Sequence, residues 1–472
     1  MEATHDVIVI GAGAVGENVA QSAALAGLSV AIVEEQLVGG ECSYWACIPS
    51  KTLLNPGKLL DAARRAPGAR EAVHGRVDPR PALERRNRMV SDWDDSGQAE
   101  WLESEGIELI RGRARLGGER SLTVASGEGT REYRAGRAVV LATGSTPSDP
   151  GIEGIADVDT WHSRDITSAA DVPPRLLFVG GGTVGVEMAQ AWAWMGSEVT
   201  LIHNSSLLLK TEEPFVGGEL ARSLREDGVR VMTEMETTAL ESNGDGSVTA
   251  TVRDGDGDVL RIEADEVVVA TGRRARTRDL GVEKLGLTPG RFLDVDRHMR
   301  VEGVPGGWLY AVGDVNGQAL LTHMGKYQAR IAGAHIGGQE RAAVSDIPAV
   351  PRVIFTSPEI AAVGLTEAQA RRSHPDIATV THDIGQVAAA GVLGEGYSGT
   401  AKLVIDRPRD LLVGATFVGP HVGELLHSAT IAIVAQVPLT RLWHAVPSFP
   451  TLSEVWLRLL ESYRSTGWDP YR

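Results

Sequence analysis

The chain has 472 residues, a net charge of −16 and a globular composition rich in glycine and poor in aromatics. That charge argues against a nucleic-acid groove or an anionic membrane surface as partner, and the length suggests two to four domains. The most apolar long stretch, residues 176–196, is broken by glycines and by Glu187, so no membrane span is expected.

Residues 6–10 form a short apolar run, the pattern of a buried parallel strand. With no basic export segment ahead of it, a cytoplasmic protein is expected. Gly11-Ala12-Gly13-Ala14-Val15-Gly16 follows, then an alanine-rich helix to about residue 26, a strand over 29–33, and Glu34. Strand, G-x-G-x-x-G, helix, strand and acid in this order form a dinucleotide fingerprint. Gly11, Gly13 and Gly16 let backbone approach a pyrophosphate at a helix N-terminus, and Glu34 accepts from ribose hydroxyls.

Next comes Gly39-Gly40-Glu41-Cys42-Ser43-Tyr44-Trp45-Ala46-Cys47-Ile48-Pro49-Ser50-Lys51, which holds both cysteines of the chain. A disulfide needs Cα atoms within about 7 Å, whereas residues i and i+5 of a regular helix are separated by roughly 7.5 Å of rise alone. A Cys42–Cys47 bridge therefore requires a distorted helical entry, and Gly39 and Gly40 supply the freedom for it. In a long chain without export signals a disulfide is more often catalytic than structural. The alternatives are two buried free cysteines or half of a zinc site. Zinc wants four ligands and no other cysteine is present, so no metal is expected.

Residues 55–102 read as helical, with their charges on a solvated face. Residues 106–127 read as short strands and turns, and 139–144 as an apolar strand ending in Ala142-Thr143-Gly144. Then the pattern repeats. A strand over 176–179 precedes Gly180-Gly181-Gly182-Thr183-Val184-Gly185, a helix to about residue 195 and a strand over 198–202. Gly11 to Glu34 and Gly180 to His203 both span 23 positions, and the second copy also closes on Ala270-Thr271-Gly272. Two such units imply two nucleotides, an electron donor and an acceptor. An acid at the ribose position would select NAD; His203, followed by Asn204, Ser205, Ser206 and Lys210, leans toward NADP, the alternative being an uninvolved surface histidine. Residues 309–314 are a strand ending in Gly313-Asp314. Beyond about residue 350, strands over 353–355, 360–364, 401–405 and 411–417 and helices over 366–372, 423–435 and 452–464 indicate a third, α+β domain.

Together these motifs resemble the flavin-dependent pyridine nucleotide–disulfide oxidoreductases, the group of dihydrolipoamide dehydrogenase, glutathione reductase and mercuric reductase. The resemblance covers nearly the whole chain. It is carried by the first fingerprint with Glu34, residues 39–51 and 142–145, the second fingerprint with Glu187, and residues 270–273, 311–314 and 450–454. It implies an α/β fold of two Rossmann-like domains plus a C-terminal α+β dimerisation domain. FAD would be bound by 1–150 with 274–347, NADPH or NADH by 151–273, and a homodimer formed through 348–472. It implies that Cys47 faces the flavin and Cys42 is the exchange thiol. Thr143 and Asp314 would contact FAD, Gly40, Gly144 and Gly272 would line the nucleotide sites, and Lys51 would pair with Glu187 near the flavin ring. A cation there stabilises reduced flavin, and a carboxylate compensates the cation. A tolerated helix carboxylate is the other reading of Glu187, disfavoured by its apolar surroundings. Electrons would pass from NAD(P)H through FAD to the Cys42–Cys47 disulfide, then by thiol–disulfide exchange to a substrate.

One element departs from the family. Its active-site His directly precedes Pro-Thr-x-Ser-Glu, and this chain reads Phe449-Pro450-Thr451-Leu452-Ser453-Glu454. Phe449 cannot move a proton, Glu454 is left without the His it would orient, and His444 is not spaced to substitute. General acid–base help is worth about 10²–10⁴-fold, so ordinary dithiol turnover should suffer. Four functions follow: a disulfide or thiol-linked reductase without a protein base, a 2-ketopropyl-coenzyme M carboxylase-like enzyme (which shares the Phe but replaces the Glu), a diaphorase or quinone reductase, and a redox sensor. Mercuric reductase needs a further C-terminal cysteine pair, absent here. The tail aromatics Trp456, Trp468 and Tyr471 suit a dimer interface or plain core.

Overall fold

The computed structural model describes residues 4–343 and 349–471; the expected domain boundary at 347/348 lies outside the described residues. The chain divides into two compact units.

The first comprises Met1–Ser50, Glu84–Asp149 and Gly272–Ser345. Its parallel strands run in the order Ile107–Arg111, Val30–Glu34, His5–Ile10 and Gly129–Leu141, with Leu309–Ala311 beside the last. The central strands are buried on both faces, which is why they read as unbroken apolar runs. Gly129–Leu141 is long enough to serve two sheets: its first half pairs antiparallel with Ser121–Ser126, which pairs with Arg113–Gly118. The helices Ala14–Leu25 and Thr322–Ile336 pack closely, side chains of the first against glycine backbone of the second. A Cβ at Gly325 would lie 2.5 Å from a Val15 methyl, and one at Gly333 2.4 Å from Ser22 Cβ.

The second unit comprises Lys51–Leu83, Pro150–Thr271 and Asp346–Arg472. A parallel sheet orders Arg230–Thr233, Glu198–His203, Arg175–Val179 and Glu266–Val269. Its helix Thr183–Met195 is apolar nearly all round and correspondingly buried. Two antiparallel sheets complete the unit: Met235–Ser242 with Val248–Asp254 and Val259–Ala264, and a five-stranded sheet from Arg352–Ile354 to Ile377–Asp383.

The stretch 55–102 is not continuous helix. Cys47–Arg65, Pro79–Met89 and Ser96–Ser104 are separated by short 3₁₀ turns, and Ser91, Asp92 and Trp93 all adopt positive φ. Nor are all its charges solvated. Arg86 is 1% exposed, lies 5.3 Å from the Trp93 ring, and burial lowers its pKa to about 10. The tail tryptophans pack inside their own unit, Trp456 on Phe417 and Trp468 on Tyr463. Among the described residues no helix is long and apolar enough to cross a membrane.

Candidate active site

The first glycine turn leaves no room for side chains. A Cβ at Gly11 (φ 100°) would lie 2.5 Å from Ala142 O, and one at Gly16 1.9 Å from Gly11 O. Gly40 is pressed against Gly13, where a Cβ would meet Gly13 Cα at 2.7 Å, and the Gly39 N–H donates to Ala12 O at 2.7 Å. Glu34 accepts from the Ala12 and Gln36 amides, each at 2.7 Å; burial raises its pKa and those amides oppose the rise. Each carboxylate oxygen keeps a further lone pair for a ribose hydroxyl.

Three more groups complete this cradle. Thr143 Oγ1 is buried and has no partner among the described residues, and the Cα of Gly144 faces open space. Asp314 follows the strand Leu309–Ala311 and accepts from Ser145 Oγ at 2.6 Å, while Arg273 Nε donates to the same hydroxyl at 2.6 Å. Burial pushes the Asp314 pKa up, against Ser145 and Arg273. An orphaned buried hydroxyl, an open glycine face and two held carboxyls fit the donors and acceptors of a dinucleotide such as FAD. Gly272 belongs to this first unit, where a Cβ would lie 3.0 Å from Ser148 Oγ.

The cysteines straddle a helix break. Cys42 lies on Gly40–Tyr44, which ends at Trp45 (φ −135°, ψ −4°) with both the Trp45 and Ala46 amides returning to Glu41 O. A new helix, Cys47–Arg65, starts immediately. This is the distorted entry that the spacing required. Both cysteines are thiols here, hydrogen-bonded to each other. The bond with Cys47, then burial, pushes the Cys42 thiol far up, while Thr322 and Lys326 pull it down. Cys47 Sγ lies 3.4 Å from Thr322 Oγ1, at the start of Thr322–Ile336. Nothing in the local sequence marked Thr322.

The second glycine turn repeats the first. A Cβ at Gly180 would lie 2.5 Å from Ala270 O, one at Gly185 1.9 Å from Gly180 O, and one at Gly182 in open space. His203 Nδ1 accepts from the Gly181 N–H at 3.2 Å, as Glu34 accepts from Ala12 in the first copy. An accepting Nδ1 in a neutral ring leaves the proton on Nε2, which is buried, with the Leu207 carbonyl as its neighbour. Burial and then Lys210 lower the His203 pKa, so the ring is neutral near pH 7 and offers one N–H donor. His203 is half-buried.

In the same unit Lys51 Nζ lies 2.7 Å from Glu187 Oε2, while Glu187 Oε1 accepts from the Phe355 N–H at 2.8 Å. The ammonium also sits 5.0 Å from the Phe355 ring centroid. Phe355, adjacent to the strand Arg352–Ile354, went unmarked by sequence. Phe449 is 75% exposed, in the loop before the helix Glu454–Arg464. Glu454 is not left unpartnered. It accepts from Arg458 Nη2 at 2.6 Å and from the Ala388 N–H at 3.2 Å, because Arg458 stands one turn further along its own helix. His444 packs edge-on to Tyr471. Among the described residues no cluster of three or more acidic, His or Cys groups could hold a metal ion.

Two glycine turns of equivalent geometry, with a dithiol beside the first, are the arrangement expected of an oxidoreductase that uses two nucleotides. Residues 5–337 match the pyridine nucleotide-disulphide oxidoreductases and 350–459 match the dimerisation domain of that family. The chain is 34% identical over 455 residues to a dihydrolipoyl dehydrogenase of Thermus scotoductus, covering 96% of this chain and 95% of the relative. It is 30% identical over 451 residues to a mercuric reductase of Staphylococcus aureus, covering 95% and 81%. The HOCl-induced flavoprotein disulfide reductase RclA from Escherichia coli, solved as a Cu(II) complex, superposes with a TM-score of 0.85 at 25% identity, over 98% of this chain and 99% of that one. The chain belongs to the pyridine nucleotide-disulphide oxidoreductase family. It is an FAD- and NAD(P)H-dependent disulfide oxidoreductase with a C-terminal dimerisation domain.

Proposed function

We propose that this enzyme reduces a low-molecular-weight disulfide through Cys42 and Cys47, as a cytoplasmic homodimer, preferring NADPH and working without the family's histidine. FAD would be held by Gly11, Gly13, Gly16, Glu34, Gly40, Thr143, Gly144 and Asp314 within 1–150 and 274–347. The nicotinamide cofactor would be held by Gly180, Gly182, Gly185 and His203 within 151–273, and 348–472 would form the dimer contact. When bound, the two cofactors supply hydride-derived electrons to the dithiol.

The observation that carries this reading is the contact between the two thiols at the helix break. Cys47, opening a nineteen-residue helix, has the dipole on its side as a thiolate, and the half-buried Cys42 is the sulfur for exchange. The NADPH preference is supported by His203 at the ribose position, where Glu34 of the first copy has a carboxylate that would repel a 2′-phosphate.

Cys42→Ser and Cys47→Ser, assayed with NADPH and 5,5′-dithiobis(2-nitrobenzoate), test the reading. Wild type is expected to reduce the disulfide and each variant to lose about 10²-fold or more, an acid–base-sized effect at least. Undiminished turnover in either variant would assign reduction to the flavin alone.

A further inference from the structure

We propose that Thr322 is a positioning residue for the dithiol: its hydroxyl donates to Cys47 and holds that sulfur as the thiolate of the two-electron-reduced enzyme. The proposal rests on the dithiol reading above.

Thr322 Oγ1 lies 3.4 Å from Cys47 Sγ, and both residues belong to the first unit. A threonine at a helix start ordinarily caps the helix, accepting from the N–H two or three residues on. In the helix Thr322–Ile336 that position is held by Leu321, with no side-chain cap bond among the described residues. The Thr322 hydroxyl stands one residue inside and is turned to the sulfur. A thiolate has no proton to give, so once Cys47 is ionised the hydroxyl can only be the donor.

Two contacts hold this helix in place. Gly325, three residues past Thr322, lies against Val15, where a Cβ would come within 2.5 Å of a methyl. The buried Gln328 accepts from the Gly313 N–H at 2.8 Å and from Asn316 Nδ2 at 2.9 Å, which ties the helix to the turn that carries Asp314. The hydroxyl is therefore in position before the thiolate forms, and little has to reorganise around the new charge.

The two sulfurs share that charge unequally. The hydrogen bond with Cys47, then burial, pushes the Cys42 thiol up, so Cys42 keeps its proton and Cys47 is the sulfur that ionises. Lys326, one turn past Thr322 on the same helix, also acts on Cys42 and pulls it down. Phe449, at the position of the family's histidine, offers neither a proton nor a positive charge to a thiolate.

The cycle balances. Two electrons and one proton break the Cys42–Cys47 bond, leaving Cys42 as a thiol and Cys47 as a thiolate. Cys42 then attacks one sulfur of RSSR, and its proton goes to the departing RS⁻. The Cys47 thiolate attacks the Cys42 sulfur, re-forms the protein disulfide and releases the second RS⁻. This closing step depends on the thiolate fraction of Cys47, which is the quantity the Thr322 hydroxyl raises.

The test compares wild type with Thr322→Val, which removes the hydroxyl at nearly constant shape, and Thr322→Ser, which keeps it. Each FAD-loaded protein is reduced anaerobically by two electrons, and its long-wavelength charge-transfer band is followed as the pH falls. A second series carries the same changes in Cys42→Ser and reads the pH profile of Cys47 alkylation by iodoacetamide, which needs no flavin signal. Thr322→Val is expected to raise the midpoint of both profiles by about one pH unit, the loss of one charge-assisted hydrogen bond at a half-buried sulfur. Thr322→Ser is expected to stay with wild type. Midpoints of Thr322→Val that match wild type in both series, or a Thr322→Ser displaced as far as Thr322→Val, would overturn the role of Thr322. Absence of the band from wild type would instead overturn the dithiol reading, with the alkylation series still deciding on Thr322.

Discussion

Lys51→Met should destabilise the protein by about 2–3 kcal/mol. Removing one partner of a buried ion pair costs about 3–5 kcal/mol, because the other charge is stranded. Here Glu187 is 3% exposed but Lys51 is 32% exposed, so solvent already screens part of the interaction and the cost falls to the bottom of that range or a little below it. The Phe355 N–H still holds Oε1, leaving Oε2 as the stranded atom. The assay is urea unfolding of the holoenzyme followed by far-UV circular dichroism, with a midpoint lowered by about 1 M for a slope of 2–3 kcal/mol/M. Lys51→Met with Glu187→Leu should recover most of the loss, since an apolar pair in the same volume needs no compensation. A single variant within 0.5 kcal/mol of wild type, or a double variant no better than the single, would refute the reasoning.

Three further outcomes are expected. Between pH 4.5 and about 7 the folded state keeps the Glu17 proton that the unfolded chain releases. That group's contribution therefore becomes unfavourable as pH rises, by about 3 kcal/mol in total, so Glu17→Gln should match wild type in urea midpoint at pH 4.5 and exceed it at pH 8; a gap independent of pH would contradict this. Gly16→Ala should purify without FAD, because its Cβ would sit 1.9 Å from Gly11 O, while Gly185→Ala should keep the flavin absorbance and lose NADPH binding by at least 10-fold. His203→Glu should lower the NADPH-to-NADH ratio of kcat/KM by about 100-fold, since a carboxylate near a 2′-phosphate costs several kcal/mol at short range; an unchanged ratio would remove His203 from the nucleotide site.

Periodicity and glycine spacing carried both cradles, because backbone geometry there depends on residues adjacent in sequence: the close approaches at Gly11 and Gly16 recur at Gly180 and Gly185. The helix break between the cysteines was legible for the same reason. What the sequence could not supply were partners brought from afar. Phe355 behind Lys51 and Thr322 beside Cys47 have no local signature, and neither does the Ser145–Arg273 support of Asp314. The Arg458 partner of Glu454 does have one, an i,i+4 spacing along a single helix. Arg86 is buried although it lies in a charged helical stretch, because helical charge patterns say nothing of what packs over them.

Anaerobic titration of the FAD-loaded protein with NADPH tests the central claim most directly. A long-wavelength thiolate-to-flavin charge-transfer band after two electrons, with bleaching only on further addition toward four, is the expected result and makes Cys42–Cys47 a working redox centre. Full bleaching at two electrons without that band would contradict the account, leaving the dithiol uncoupled from the flavin.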